Sequence, residues 1–185
     1  RSQTGAISLL SGDDILMAAG SVIVARNVVT LRGDDEEDYD AVPGNAPDRD
    51  VGRGAAIELL GTVTGSSVLV TTGTDPDTVA IAGVTTVTTV RAGDNNDLIS
   101  LGSRATVLAN TGGVLDFITA VLTIDGGSGD DTLSLDDSGD TRDNTGTLGA
   151  GTVTGFGMSA AVGHSGIEDV TLTLGSGADT TDVTG

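Results

Sequence analysis

One local pattern, repeated along the chain, limits what this sequence can fold into. A glycine-rich turn is followed by an acid at a fixed place and by an apolar residue two positions further on. The best copy is Gly126-Gly127-Ser128-Gly129-Asp130-Asp131-Thr132-Leu133-Ser134. Weaker copies lie at 11–16, 32–39, 72–79, 92–99 and 174–181. In this frame the sixth position is Asp14, Glu37, Asp77, Asp97, Asp131 and Asp179, and the eighth is Leu16, Tyr39, Val79, Ile99, Leu133 and Thr181. Glycine gives the turn its backbone freedom, the acid offers oxygen to a cation or caps amides, and the apolar residue starts a strand. The acids are separated by 23, 40, 20, 34 and 48 residues. Several intervals are close to one or two multiples of about 20, the lower end of the period of coiled repeat architectures.

The segments between the turns are written for strands. Ser67-Val68-Leu69-Val70-Thr71 and Val170-Thr171-Leu172-Thr173-Leu174 alternate apolar with small polar residues, a period of two that buries one face. Runs at 21–25, 28–31, 79–82, 84–90, 98–101, 106–108, 114–124, 133–135 and 151–156 are also expected as strands. Aromatic residues are limited to Tyr39, Phe117 and Phe156, so the interior must be filled by Val, Ile, Leu and Ala. The polar stretches at about 34–54 and 136–146 are expected to be surface insertions. Residues 1–185 thus read as a single module.

Charge and composition narrow the function. The net charge is −19, with 27 acids and 8 bases, all of them arginine. Such a surface repels nucleic acid and anionic membranes and attracts divalent cations. There is no cysteine, so neither a disulfide framework nor a thiolate site is available. No apolar run reaches membrane-spanning length, and no membrane insertion is expected. His164, the only histidine, lies in Val162-Gly163-His164-Ser165-Gly166 and reads as a turn residue rather than a catalyst. Without lysine no phosphate-cradling P-loop can be built. Arg91 is expected to pair with Asp94 or Asp97.

The segment 122–135, centred on Gly126 to Ser134, resembles the RTX, or hemolysin-type calcium-binding, repeat family. The stretch 167–179 is similar to repeats of very large bacterial surface proteins. The resemblance implies an all-β chain coiled as a parallel β-solenoid, a β-helix or β-roll-like form with surface loop insertions, taken as right-handed from the usual bias of crossovers. It implies Ca2+ held by Asp131, with Gly carbonyls completing the shell. Asp130, Asp97, Asp77, Asp14 and Asp179 are the further candidate ligands. It also implies an extracellular, cell-surface location and a structural role in an adhesin, matrix fibre or filament, in contact with a surface glycan or a neighbouring cell. RTX nonapeptides follow one another directly, whereas the copies here stand 20 or more residues apart. A shared-ion ladder therefore requires the coil to bring distant turns together. The alternative is a carbohydrate-active parallel β-helix, a lyase or hydrolase, for which the sequence supplies few aromatic platforms. Strand-like, uncapped segments at 6–10 and 182–184 point to an end-to-end array, either tandem copies or subunits joined head to tail into a homo-oligomer.

Overall fold

The computed structural model describes residues 5–34 and 54–185. Glu37, Tyr39 and all but the ends of the insertion expected at 34–54 lie outside the described residues. The described chain is all-β, with seventeen strands and no helix. In order they are β1 (Ile7–Leu10), β2 (Ile15–Met17), β3 (Val22–Val24), β4 (Val29–Arg32), β5 (Ala56–Leu59), β6 (Thr62–Thr64), β7 (Val68–Gly73), β8 (Thr78–Ile81), β9 (Thr88–Asp94), β10 (Leu98–Leu101), β11 (Leu122–Ser128), β12 (Thr132–Asp136), β13 (Thr145–Gly149), β14 (Thr152–Gly155), β15 (Val162–Ser165), β16 (Asp169–Thr173) and β17 (Thr180–Thr184).

These strands form three sheets. The first has the order β1-β4-β7-β9-β11-β15-β14-β13-β17, the second β16-β12-β10-β8-β5-β2, and the third is the pair β3-β6. Pairing is parallel throughout except where β14 runs against β13 and β15. From β1 to β12 the chain visits the sheets in turn, so each strand lies beside its counterpart from the previous circuit.

The register follows the period-two pattern. In the first sheet Leu9, Leu31, Val70, Val90, Ile124 and His164 align rung on rung. In the second, Ile15, Ile57, Val79, Ile99, Leu133 and Val170 align, as do Met17, Leu59, Ile81, Leu101, Leu135 and Leu172. The inner members of these columns are fully buried, and together they make one core of branched aliphatic side chains. Interdigitated β-branched residues suit a narrow interior between facing sheets.

Four local expectations are corrected. Strand β11 begins at Leu122; residues 114–121 form an irregular loop that buries Leu115 and Ile118. Residues 106–109 make a tight turn closed by a Thr106–Ala109 bridge, with Leu108 94 % exposed at its tip. That turn belongs to a long excursion between β10 and β11, pinned over the outer face of the second sheet. Glu58 accepts the Val107 N–H (2.9 Å), and Asn110 donates to the Ser134 carbonyl (3.0 Å). His164 is not in a turn but in β15, in register with the buried Ile124, and its Nε2 is buried without a partner. Arg91 forms no ion pair among the described residues; it stands in register with Thr71 and Asp125.

Candidate functional site

The acids of the repeated frame come together at the turn between the first and second sheets. Asp77, Asp97 and Asp131 each stand two residues before an inward apolar residue, Val79, Ile99 and Leu133. Strand parity therefore turns all three carboxylates inward. They are 2 %, 3 % and 0 % exposed. Each accepts, through Oδ1, the backbone N–H at the same register of the preceding circuit: Ala55 to Asp77 (2.6 Å), Asp77 to Asp97 (2.8 Å) and Asp97 to Asp131 (2.8 Å). Glu168 continues the column by accepting the Asp131 N–H (2.9 Å). The result is a ladder of carboxylates threaded through the backbone of successive circuits.

The second oxygen of each buried carboxylate is different. Oδ2 of Asp77, Asp97 and Asp131 is buried and has no hydrogen-bond partner. An unpaired buried carboxylate oxygen is costly. Burial pushes Asp77 up to about 6, against the Thr72 hydroxyl and the Ala55 N–H, and Asp97 up to about 7, against the Asp77 N–H. The neighbouring charges raise them further, since all are acidic: Asp34 and Asp75 beside Asp77, and Asp77, Asp131 and Asp94 beside Asp97.

Glycine makes room for the column. Gly73, Gly93 and Gly127 are stacked in register, and at Gly93 and Gly127 φ is +119° and +102°. A Cβ on Gly127 would run into the Gly93 carbonyl oxygen. A Cβ on Gly126 would lie 2.6 Å from Asp131 Oδ2 and would overlap the Gly166 carbonyl oxygen. The two glycines at the start of the best nonapeptide are thus required by close approach of the backbone and of the acid they precede.

The remaining candidates occupy other places. Asp14 is one residue out of step: Ile15 aligns with Ile57, so Leu16 points outward and is 61 % exposed. Its Oδ1 accepts the Ala56 N–H (2.9 Å). Asp179 precedes β17 on the first sheet and accepts the Asn144 N–H (2.9 Å), the same type of bond outside the column. Asp130 is exposed, with its N–H bonded to Asn96 Oδ1 (3.1 Å). Glu168 was hidden from the glycine frame because no glycine triplet precedes it; its position two residues before Val170 is the signal that finds it.

A second set of buried acids closes the far end of β12. Asp136 and Asp137 accept the N–H groups of Gly113 (2.6 Å) and Leu115 (3.0 Å). Asp140 is bridged to Asp116 by the Arg142 guanidinium. Here every carboxylate oxygen of Asp136, Asp137 and Asp140 has a partner, while Asp116 Oδ1 is buried without one, and the set holds the 102–121 excursion in place.

A hard cation accepts only oxygen ligands, and the column supplies three unpaired carboxylate oxygens set among glycine turns, which fits calcium chemistry. Among the described residues no group of three or more Asp, Glu or His side chains converges on one point. Each ion would therefore take one carboxylate from a turn and the rest of its shell from backbone carbonyls and water. Compared with protein-family models, with curated proteins and with solved structures, the chain matches none.

Proposed function

We propose that this chain is a right-handed parallel β-solenoid that binds calcium and serves as a structural module of an extracellular bacterial adhesin, matrix fibre or filament, not as an enzyme. The observation that carries this reading is the column of Asp77, Asp97 and Asp131, each bonded to the previous circuit and each left with one unpaired buried oxygen. The alternation of strands between parallel sheets supports the coil. Asp131 and its neighbours in the column would hold the ions, and the ions would neutralise stacked carboxylates that otherwise repel. His164, set in a core column, supports a non-catalytic chain. The module would join others end to end through the edge strands at its two ends, as tandem copies or as a homo-oligomer, and would meet a surface glycan or a neighbouring cell along its flank.

The test is thermal unfolding with calcium and with chelator. A ligand that binds only the folded state at 100 times its Kd adds about 2.7 kcal/mol, a rise of roughly 5–10 °C for a domain of this size. Asp131→Asn should remove most of that rise and Asp179→Asn little of it. Superimposable melting curves in both buffers would discard the ion.

A further inference from the structure

The third sheet stops short. Strand β6 pairs with β3 on one side, but no backbone hydrogen bond crosses from β6 to residues 83–85 of the next circuit. The sole tie there is the Thr86 hydroxyl donating to the Val63 carbonyl (3.2 Å). The segment 83–85 is instead drawn to the circuit beyond it. Val84 donates to the Phe117 carbonyl (2.9 Å) and accepts from Thr119 (2.8 Å) and Ala120 (3.1 Å). Gly83 allows this, because a Cβ there would come within 2.9 Å of the Phe117 Cβ.

Between β6 and residues 83–85 the surface therefore opens into a groove of about 290 Å³. This is the lower end of the size range of small-molecule sites, roughly 300–1,000 Å³. Its floor is apolar, with Leu59, Val63 and Ile81. Its rim carries the hydroxyls of Thr62, Thr85, Ser103 and Thr119; Thr119 donates its proton to the Val84 carbonyl (2.9 Å) and can only accept, and Thr88 is buried below with its proton on the Thr86 carbonyl (2.8 Å). Thr62 and Thr85 have no side-chain hydrogen bond among the described residues, and the Ser103 hydroxyl accepts from the Val114 N–H (3.0 Å), which leaves its own proton to donate outward. Phe117 stands at the mouth, 56 % exposed. No charged side chain lines the groove, in a molecule whose net charge is −19.

We propose that this groove binds one unit of a neutral saccharide. The C–H face of a sugar ring would rest on Phe117 and the apolar floor, and its hydroxyls would exchange hydrogen bonds with the threonine rim and the unpaired backbone edge of β6. Pairing an apolar platform with a few placed hydroxyls is what an uncharged polyol requires, and the missing charge disfavours acidic sugars, phosphates and charged peptides. The proposal rests on the glycan-contact part of the function given above, and it requires neither bound ion nor array.

The experiment is an amide NMR titration of the whole chain with glucose, galactose, mannose and N-acetylglucosamine, and with maltose, cellobiose and chitobiose, each in calcium and in chelator. The expected result is saturable shifts confined to residues around 60–63, 82–88, 103 and 117–119. Phe117→Ala should weaken the effect at least tenfold, and Thr62→Trp, which fills the groove, should abolish it. Both variants should melt like the parent, since Phe117 and Thr62 are exposed. Shifts with no sugar, shifts elsewhere, shifts unchanged in Phe117→Ala, or binding of an extended peptide in the groove where no sugar binds would each overturn the proposal. Melting curves indifferent to calcium, alongside groove-confined sugar shifts, would sink the ion and leave the saccharide site standing.

Discussion

At Asp97 burial and hydrogen bonding act in opposite directions, and burial wins. Its Oδ1 holds the Asp77 N–H, while its Oδ2 meets nothing, and burial pushes the carboxyl up to about 7. Asp77 and Asp137, both pushed up to about 6 by burial, behave alike. Groups whose folded pKa is raised bind more protons folded than unfolded, so their contribution is greatest below about pH 4 and is lost as pH rises through 6 and 7. Asp140, held well below the usual range by the Arg142 guanidinium, works the other way and loses its contribution as the solution becomes strongly acidic. In chelator the melting temperature should therefore peak near pH 4–5 and decline toward neutrality. Asp97→Asn keeps an oxygen for the Asp77 N–H and removes the charge. It should raise stability at pH 7.5 in chelator by on the order of 1 kcal/mol, about 2–4 °C, and flatten the decline. A melting temperature that climbs from pH 4.5 to 7.5 in the parent would refute this assignment. Gly126→Ala tests the packing of the same turn. With a carbonyl and a carboxylate both inside contact distance of the new methyl, the loss should be about 3 kcal/mol or more, read from denaturant midpoints.

Among the elements, the antiparallel hairpin β13–β14 is the least expected. It lies between β15 and β17 in the first sheet, where β14 alone runs against the direction that β15, β13 and β17 share. Phe156, just past β14, anchors it. Phe156 is fully buried with its backbone at φ +51°, and its ring lies against Gly146, where any Cβ would overlap it. Phe156→Ala should cost about 3–5 kcal/mol, with hydrogen exchange rising first at 145–155. Uniform acceleration across all strands would argue against local anchoring. Strand identity was legible wherever period-two alternation met a glycine turn, as at 67–71, 98–101 and 170–174. The inward aim of Asp77, Asp97 and Asp131 was also available, by counting two residues to the next buried aliphatic. Residues 114–121 were misread because an apolar run does not reveal whether it pairs or only packs: Leu115 and Ile118 are buried from a loop. Leu16 was misplaced because the glycine frame slips by one residue there, and a slip of one exchanges the faces of a strand. The hairpin had no such signal, since Thr-Gly-Thr repeats serve a parallel rung and an antiparallel turn equally well.

For the molecule as a whole, the two ends differ. Among the described residues, all three sheets end together at β1, β2 and β3, and Leu10, Leu16 and Val22 are 55 %, 61 % and 63 % exposed on those edge strands. On the other side β17 and β16 close the two large sheets, with Val183 72 % exposed and Glu168 and Asp169 nearby. Parallel edges with apolar side chains and no partner strand among the described residues invite further strands. Light scattering with calcium should show association that grows with concentration, and Leu16→Lys combined with Val22→Lys should reduce it to single chains without lowering the melting temperature. Single chains under every condition would defeat the end-to-end arrangement.

The ladder of acids also sets how the molecule answers a pull. Rung-to-rung hydrogen bonds join neighbouring strands of each sheet, so in the proposed coil a load applied to the two ends would be met one circuit at a time rather than by all circuits together. From Asp77 to Asp97 one circuit is 20 residues. It occupies about 4.8 Å of stack height but releases on the order of 70 Å of chain when peeled. Joined end to end as proposed, a chain of this design would yield early, lengthen by more than tenfold per circuit, and dissipate work at each step instead of snapping. The carboxylate of the next circuit, holding the amide of the last, is the catch that must be released each time.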